Sequence, residues 1–440
     1  MNIGNSVRSI INTIKNQQGV RKYSVNTFWL MVEKVFRMII GLIVGIWVAK
    51  YLGPEIFGTY SYILSFTGIF LVVAKMGMDG VVVRELVRDE SRRDVLLGTA
   101  FVIKLIAAVA IILIIFWIIQ LKQNTFNYKL MILIVASSSV FQSLNVIDFF
   151  FQSKVLSKYV VYANIISLMI FTVVKVFLII SNAPLETFVV AILLESVVTA
   201  FGYLFIYRFN KYYINKWEYD SKVAKQLLND SWPLIPHAVS FMVITNIDKI
   251  MIGEIVNNHA VGLYSMAHRI VALFYTFIAL FTSSIFPALI SDKGKRERRF
   301  VLLYRFVIIL SISIVILYYS IGIMLVPMIF GAEYQESVNI LNILIISIIF
   351  SSLSVASGKW FIVENYTKLF LFRSLSSAVL NIVLNYYLLK EYGVYGAAIS
   401  TILTMFYLSY ISNYFNKDTM ANLKLIHQAI FITKRVIKND

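Results

Sequence analysis

Apolar stretches of about 20 residues recur along the whole chain, and this pattern limits the possible folds more than any other feature. A helix of about 20 apolar residues crosses about 30 Å of membrane hydrocarbon, whereas soluble proteins bury shorter apolar stretches. Of the 440 residues, 59% are hydrophobic and 14% are charged, while a soluble domain carries about 25% charged residues. The sequence therefore predicts an all-α polytopic membrane protein without a large soluble domain.

The apolar stretches predict about twelve membrane spans. Prolines support several edges, since Pro233 and Pro236 open the seventh span and Pro287 closes the eighth, where proline disturbs a helix least. The predicted spans are 24–49, 57–79, 96–120, 129–152, 159–181, 187–207, 231–254, 260–288, 301–325, 338–358, 369–389 and 393–415.

Basic residues are concentrated in alternate connections between these spans. Of the 40 lysines and arginines, 28 lie in one set of segments and 4 in the opposite set. The basic set consists of the N-terminal tail, the segments 84–94, 154–158, 208–225, 293–299 and 359–373, and the C-terminal tail. Cytoplasmic loops of membrane proteins are enriched in lysine and arginine, so both termini are predicted to be cytoplasmic. The net charge of +17 is thereby explained by membrane orientation rather than by nucleic-acid binding.

Both tails show apolar residues at helical spacing. These residues are Ile3, Val7, Ile10, Ile11 and Ile14 near one end, and Leu423, Ile426, Ile430 and Ile437 near the other. Amphipathic basic helices commonly lie on the anionic inner leaflet. The alternative is a tail that is merely basic and mobile.

An internal repeat divides the chain into halves. The motif Phe57-Gly58-Thr59-Tyr60-Ser61-Tyr62 recurs as Val261-Gly262-Leu263-Tyr264-Ser265-Met266, at an offset of 204 residues. With six spans in each half, the halves run in the same direction, which predicts two six-helix lobes around a central cleft. The predicted organisation is a tail at 1–22, a lobe at 23–207, a cytoplasmic loop at 208–230, a lobe at 231–415 and a tail at 416–440.

Several spans contain ionisable residues, which are costly in hydrocarbon and normally face a cavity or a partner. Arg37 and Arg269 lie deepest in their spans, and together with Lys34 and Lys249 they are the candidate substrate-binding residues of a cationic cleft. The candidate ion-coupling residues or ion-pair partners are Glu33, Asp248 and Glu195. Glu33 and Arg37 are four residues apart, so we expect them to pair on one helical face.

Recognisable reaction machinery is missing from the sequence. Cysteine is absent, the four histidines are scattered, and neither G-x-x-x-x-G-K-[ST] nor H-E-x-x-H occurs. We therefore expect no metal and no cofactor, and a carrier rather than an enzyme.

Three segments resemble those of Wzx-type polysaccharide flippases. Residues 50–62, KYLGPEIFGTYSY, are similar to the first-loop signature of that family. Ser231-Trp232-Pro233-Leu234 followed by 246–253, NIDKIMIG, resembles its "SWPL … xIDxIMIG" segment, and 392–398, YGVYGAA, resembles its "YGxxGAA". The resemblance covers nearly the whole chain and keeps the order of the family's motifs.

The resemblance implies the fold of the multidrug/oligosaccharidyl-lipid/polysaccharide exporter superfamily and alternating access in the bacterial cytoplasmic membrane. It implies an undecaprenyl-diphosphate-linked oligosaccharide repeat unit as cargo, moved from the inner to the outer leaflet for surface polysaccharide assembly. Besides the lipid bilayer and this glycan, polysaccharide polymerase and chain-length proteins are the candidate partners.

Three alternatives remain open at this stage. A drug or cation antiporter of the same superfamily should carry acidic residues deep in its cleft, whereas bases dominate here. A membrane glycosyltransferase or polymerase should have a sizeable external loop and a carboxylate site, and neither is evident. A scaffold that only assembles partners would not need charges within its spans.

Overall fold

The chain folds entirely into helices and turns wherever the structure describes it. The computed structural model describes residues 3–121, 125–290, 294 and 296–431, with backbone only for 3–24, 287, 288 and 290. The α-helices are α1 Ile3–Ala74, α2 Met78–Arg88, α3 Arg93–Gln120, α4 Phe126–Gln142, α5 Val146–Ser153, α6 Lys158–Ile180, α7 Leu185–Phe209, α8 Ser221–Ser231, α9 Leu234–Ile255, α10 Asn258–Ile290, α11 Arg296–Leu317, α12 Ile323–Phe330, α13 Gln335–Leu344, α14 Ser347–Val363, α15 Thr367–Tyr392, α16 Val394–Ser409 and α17 Thr419–Ile430. The predicted all-α class is confirmed.

Most of these helices are long and apolar enough to cross a membrane. Among the described residues there are 9 candidate spans, and the bent pair Ala332–Leu344 and Ser347–Val363, with an angle of 52° between its parts, makes a tenth. One candidate, Val25–Arg88, holds 64 residues and so covers two of the predicted spans. α9, which carries Asp248 and Lys249, has 22 residues and is not among the candidates. All twelve predicted spans overlap described helices.

The first predicted connection is a break within α1. Gly53 has φ 69° and ψ 167°, and Pro54 follows it. Glycine adopts positive φ without steric cost, and proline lacks the N–H that would continue the helix. The Gly-Pro pair thus ends one span and begins the next without a separate loop.

Two compact units emerge from the internal contacts of the chain. Unit 1 contains residues 1–40 and 73–233, and unit 2 contains residues 41–72 and 234–440. The boundary between the units falls inside α1, because residues 41–72 make their contacts mainly with unit 2. The boundaries derived from the repeat, at 23–207 and 231–415, stay a prediction.

Unit 1 has a hydrophobic core formed by α2, α3, α5, α6, α7 and α8. Phe150, Phe151 and Leu97 are at most 1% exposed there. The 208–230 connection, expected to be a loop, contains α8, which packs on α3 and α2 through Leu227. Asp220 caps α8 by accepting hydrogen bonds from the backbone N–H groups of Lys222 (2.7 Å) and Val223 (2.8 Å).

Unit 2 is built around α9, α10, α11, α14, α15 and α16. α15 packs against α16 and α9, while α14 packs against α10, α11 and α16. The C-terminal helix α17 packs on α11 with Leu423 and Ile426 buried. Its apolar face therefore contacts protein, and location on the inner leaflet stays a prediction. Ile437 and the tail side chains from Ile3 to Ile14 lie outside the described part.

Candidate functional site

A cavity of about 530 Å³ lies within unit 2, between α9, α10, α14, α15 and α16. This size is within the range of about 300–1,000 Å³ that is usual for ligand pockets. Its cationic lining residues are Lys249, Lys359 and Arg373, and His237 and His268 also line it. No aspartate or glutamate occurs among the described lining residues. The cavity is therefore suited to an anionic ligand.

Helical periodicity explains how apolar helices present polar groups to this cavity. In α14, Ser347, Ser351 and Ser354 line the wall together, because spacings of three and four residues lie on one helical face. In α9, Phe241, Thr245 and Lys249 also share one helical face and line the cavity. Each of these two helices thus presents polar side chains on the face that lines the cavity.

Arg373 is the most deeply buried cation of the cavity, at 3% exposure. It donates from Nη1 to Ser357 Oγ at 2.7 Å, and from Nη2 to Ser354 O at 3.3 Å and Ser354 Oγ at 3.2 Å. Its Cζ lies 4.8 Å from the ring centroid of Phe361 and 5.8 Å from that of Phe370. The guanidinium is therefore held in place by hydroxyls, a carbonyl and aromatic faces.

Lys249, predicted as a substrate-binding residue, lines the cavity. Its Nζ donates to Asn246 Oδ1 at 3.4 Å, a long contact from the preceding turn of α9. The neighbouring Lys359 has its Nζ 5.0 Å from the ring centroid of Phe286. His237 also lines the cavity, and its Nδ1 lies 3.1 Å from Ser374 Oγ.

Asp248 does not line the cavity and is surrounded by hydrogen-bond donors. It is 2% exposed and accepts hydrogen bonds of 2.6 Å from Tyr264 OH, Thr401 Oγ1 and Asn385 Nδ2. Near it, the Oδ1 atoms of Asn381 and Asn385 are buried and have no hydrogen-bond partner in the described part. A buried carboxylate beside two unsatisfied amide oxygens forms a concentration of negative and partially negative oxygen atoms.

Arg269 lies elsewhere in unit 2, outside the set of residues that lines the cavity. Its Nη1 donates to the carbonyl oxygen of Gly41 at 3.2 Å, and its Cζ lies 5.3 Å from the ring centroid of Phe57. A Cβ atom at Gly45 would lie 1.3 Å from Arg269 Nη1. Glycine at position 45 therefore makes room for this guanidinium against α1.

The remaining predicted residues belong to unit 1, where Glu33, Arg37 and Glu195 form an ion-pair network. Arg37 Nε lies 3.2 Å from Glu33 Oε1, and Arg37 Nη1 lies 3.8 Å from Glu195 Oε1. Lys175 Nζ lies 2.9 Å from Glu195 Oε2. The expected pairing of Glu33 with Arg37 is confirmed, and Lys175 pairs with Glu195. Lys34 is exposed.

Sequence reasoning missed Arg373 and Lys359. Both were counted in the predicted cytoplasmic segment 359–373, whereas they lie in α15 and α14. A usable signal was present in the spacing of Ser347, Ser351 and Ser354, because a polar stripe on an apolar span indicates a face turned away from lipid.

Comparison with known proteins identifies the family. The sequence model of the family described as "Polysaccharide biosynthesis protein" matches residues 24–291, more than half of the chain. The chain belongs to this family. The membership predicted from the motifs is thereby confirmed.

Curated relatives match part of the chain. A protein named probable low-salt glycan biosynthesis flippase Agl15, from Haloferax volcanii, is 26% identical over 205 residues, which are 44% of this chain and 43% of the relative. A putative O-antigen transporter from Shigella flexneri is 29% identical over 174 residues, 38% of this chain and 41% of the relative. The matched region spans about two fifths of each relative.

A solved structure supports the fold. An inward-facing multidrug resistance MATE family transporter of the MOP superfamily superposes with a TM-score of 0.71 at 15% identity, covering 89% of this chain and 96% of the other. At this identity the likeness concerns the fold alone. The chain thus has the fold of that superfamily, as the resemblance of its motifs implied.

Proposed function

We propose that this protein is a flippase that moves lipid-linked oligosaccharide repeat units from the inner to the outer leaflet of the bacterial cytoplasmic membrane. In its finer form, the proposal states that the cargo is linked to undecaprenyl diphosphate and that the protein moves it by alternating access. The transported units then serve the assembly of O-antigen, capsule or exopolysaccharide. The family membership supports it, as do the relatives named glycan biosynthesis flippase and O-antigen transporter.

The observation that carries the proposal is the charge of the cavity in unit 2. Lys249, Lys359 and Arg373 line it, and its described lining contains no carboxylate. A diphosphate loses strong hydration when it leaves water, and lysine and arginine donors replace part of that hydration with charge-assisted hydrogen bonds. Serine hydroxyls and aromatic rings on the same walls are suited to the hydroxyls and apolar faces of sugars.

A drug or cation antiporter is the alternative from the same fold. The likeness to a multidrug transporter concerns the fold, which does not determine the cargo. A cationic drug would be repelled by three basic side chains without a compensating carboxylate on the cavity wall. The charge of the cavity therefore favours an anionic cargo.

The predicted substrate-binding residues differ in what supports them. Lys249 is the predicted cation that lines the cavity, and we retain it as a cargo contact. Arg37 is held by two carboxylates, and Arg269 is packed against α1. Arg37, Arg269 and Lys34 stay predictions for the transport pathway.

The proposal is tested by translocation in proteoliposomes. A polyprenyl-diphosphate glycan with a fluorescent sugar is incorporated, and its movement is followed by protection from an impermeant quencher. We expect translocation by the native protein and at least a tenfold lower rate for Lys249→Gln. Lys424→Gln is the control, since Lys424 is an exposed residue of α17. Export of an ethidium-type cation without movement of the glycan would establish the antiporter alternative.

We also propose that Asp248 binds the coupling ion, either a proton or a monovalent cation. Support comes from its burial, from its three neutral donors, and from the unsatisfied Oδ1 atoms of Asn381 and Asn385 beside it. A cation would neutralise the carboxylate and give both amide oxygens a partner. The sequence left open whether each of these carboxylates couples an ion or pairs with a cation. Glu33 and Glu195 fit the second role, because both pair with Arg37.

Imposed gradients test this coupling. Translocation is measured with a sodium gradient, with a pH gradient, and with neither. We expect one gradient to accelerate the native protein and to have no effect on Asp248→Asn. An equal response of the native protein and Asp248→Asn to that gradient would remove Asp248 from the coupling site.

A further inference from the structure

Arg373 carries a charge that the described part of unit 2 does not neutralise. It is 3% exposed, and in the described part its hydrogen-bond acceptors are Ser357 and Ser354. Its Nε is buried and has no hydrogen-bond partner in the described part. A buried cation without a counter-ion is strongly unfavourable. An anionic ligand would supply the missing negative charge.

The surroundings of Arg373 contain space for such a ligand. Arg373 lines the cavity of about 530 Å³ and also a smaller one of about 110 Å³. Lys249, Lys359 and His237 share the larger cavity with it. An oxyanion placed there meets a planar guanidinium, whose parallel N–H groups match the two oxygens of a carboxylate or phosphate. Both the position and the donor geometry favour this ligand class.

The guanidinium is positioned by a chain of hydrogen bonds that begins in the C-terminal helix α17. Asn422, which is 0% exposed, donates from Nδ2 to Ser357 Oγ at 2.7 Å. The same Ser357 Oγ accepts from Arg373 Nη1 at 2.7 Å. Tyr304 OH in turn donates to Asn422 Oδ1 at 2.5 Å. Residues of α11, α14 and α17 therefore hold the arginine side chain before any ligand arrives.

We infer that Arg373 is the primary oxyanion-binding residue of this cavity, positioned by Ser357 and Asn422. The ligand is a phosphate of the lipid diphosphate or a carboxylate of an acidic sugar in the repeat unit. This inference specifies where the flippase proposed above holds the negative charge of its cargo, and it rests on that function for the identity of the ligand.

Replacement of Arg373 is predicted to affect heat stability and oxyanion binding in different ways. A buried cation without a counter-ion carries a desolvation cost that an apolar side chain of similar volume does not carry. We therefore expect Arg373→Met to be at least as heat-stable as the native protein without ligand, and to lose stabilisation by oxyanions. An arginine with a purely structural role would give the opposite result, a lower Tm with ligand stabilisation unchanged.

The experiment measures Tm of the full chain in phosphatidylcholine nanodiscs at constant ionic strength. Inorganic pyrophosphate, glucuronate and glucose are titrated separately. We expect pyrophosphate or glucuronate to raise the Tm of the native protein and glucose to leave it unchanged. A stronger effect of pyrophosphate identifies the lipid headgroup as the source of the oxyanion, and a stronger effect of glucuronate identifies an acidic sugar.

For Arg373→Met we expect at least a tenfold higher half-saturating concentration of the effective oxyanion. Lys368→Met is the matched control, because it removes a positive charge from an exposed position of the same helix and should titrate like the native protein. If Arg373→Met does not fold, Ser357→Ala is measured instead. It removes the hydroxyl that accepts from Arg373 Nη1, and we expect the half-saturating concentration of the effective oxyanion to rise severalfold.

Identical titrations of the native protein and the folded variant would overturn the inference, as would a native protein that neither oxyanion stabilises. If the native protein does not translocate the glycan but binds an oxyanion through Arg373, the proposed function is wrong and the oxyanion site is supported. If the glycan is translocated while Arg373→Met binds both oxyanions normally, the inference alone is wrong.

Discussion

Gly58 and Gly262, which occupy equivalent positions in the two repeat motifs, pack directly against each other's helices. A Cβ atom at Gly58 would lie 1.7 Å from the carbonyl oxygen of Asn258 and 2.9 Å from the backbone nitrogen of Gly262. A Cβ atom at Gly262 would lie 2.0 Å from the carbonyl oxygen of Pro54. Small residues allow the backbones of membrane helices to approach closely. The repeat therefore includes a helix contact in unit 2 that requires glycine on both sides.

This contact predicts a strong effect of one added methyl group. Gly262→Ala forces α1 and α10 apart, since the obstructing atoms belong to the backbone, and overpacking of this kind costs about 1–3 kcal/mol. We expect a lower Tm in nanodiscs. Gly41→Ala is the control, because nothing lies within 4 Å of a Cβ atom there. Equal Tm values for Gly262→Ala and the native protein would contradict the close contact.

Glu195 is predicted to stabilise unit 1 by neutralising two cations. Glu195→Gln leaves Lys175 without its partner at 2.9 Å and Arg37 with Glu33 alone. Hydrogen bonds to charged groups contribute about 1.5–3 kcal/mol, so we expect a loss of about that size in the free energy of unfolding. The double variant Lys175→Met/Glu195→Gln should recover part of the loss, because it removes the orphaned ammonium group. Additive effects of the two single variants would indicate that the side chains do not interact.

Asn422 is predicted to anchor α17 to the rest of unit 2. Asn422→Leu removes the acceptor of Tyr304 OH and the donor to Asn413 Oδ1 (2.9 Å) and Ser357 Oγ. Each buried polar group left without a partner costs about 1–3 kcal/mol. We expect faster hydrogen exchange in 419–430 and a lower Tm. Lys424→Ala, an exposed change in the same helix, should alter neither measurement.

The stability of helix α8 is predicted to depend on pH through the carboxylate of Asp220. The backbone N–H of Val223, and then that of Lys222, donate hydrogen bonds to the carboxylate and hold its pKa below the usual value of about 4. Because the folded-state pKa is lowered, the cap stabilises α8 above the unfolded-state pKa and is lost as the pH falls through the folded-state pKa. We expect the amide protection of Lys222 and Val223, corrected for intrinsic exchange, to decrease below about pH 4.

The variant Asp220→Asn tests the capping hydrogen bonds without the negative charge of the carboxylate. Asparagine is also a good N-cap residue, so this variant should keep the protection of both amides while losing its dependence on pH. A native protein whose protection at these two positions does not change with pH would show that the carboxylate does not cap α8 in the membrane-bound protein.

Much of this protein is determined by its sequence. Long apolar stretches leave helices as the spanning structure, since only internal hydrogen bonding satisfies the backbone in lipid. Lysine and arginine counts predict the orientation, and the motifs at 50–62 and 231–253 predicted the confirmed family. The pairing of Glu33 with Arg37 also followed from the sequence, because residues four apart in a helix are neighbours.

Only the tertiary structure decided which charges share a cavity. Lys249, Lys359 and Arg373 belong to three different helices, and helical periodicity gives the direction of a side chain only relative to its own helix axis. The partner of each helix depends on the packing of small and polar residues between helices, which no single span contains. For that reason Arg373 was counted with the basic segment 359–373, where it overlaps the predicted span 369–389, whereas the fold buries it beside Ser357 and Asn422.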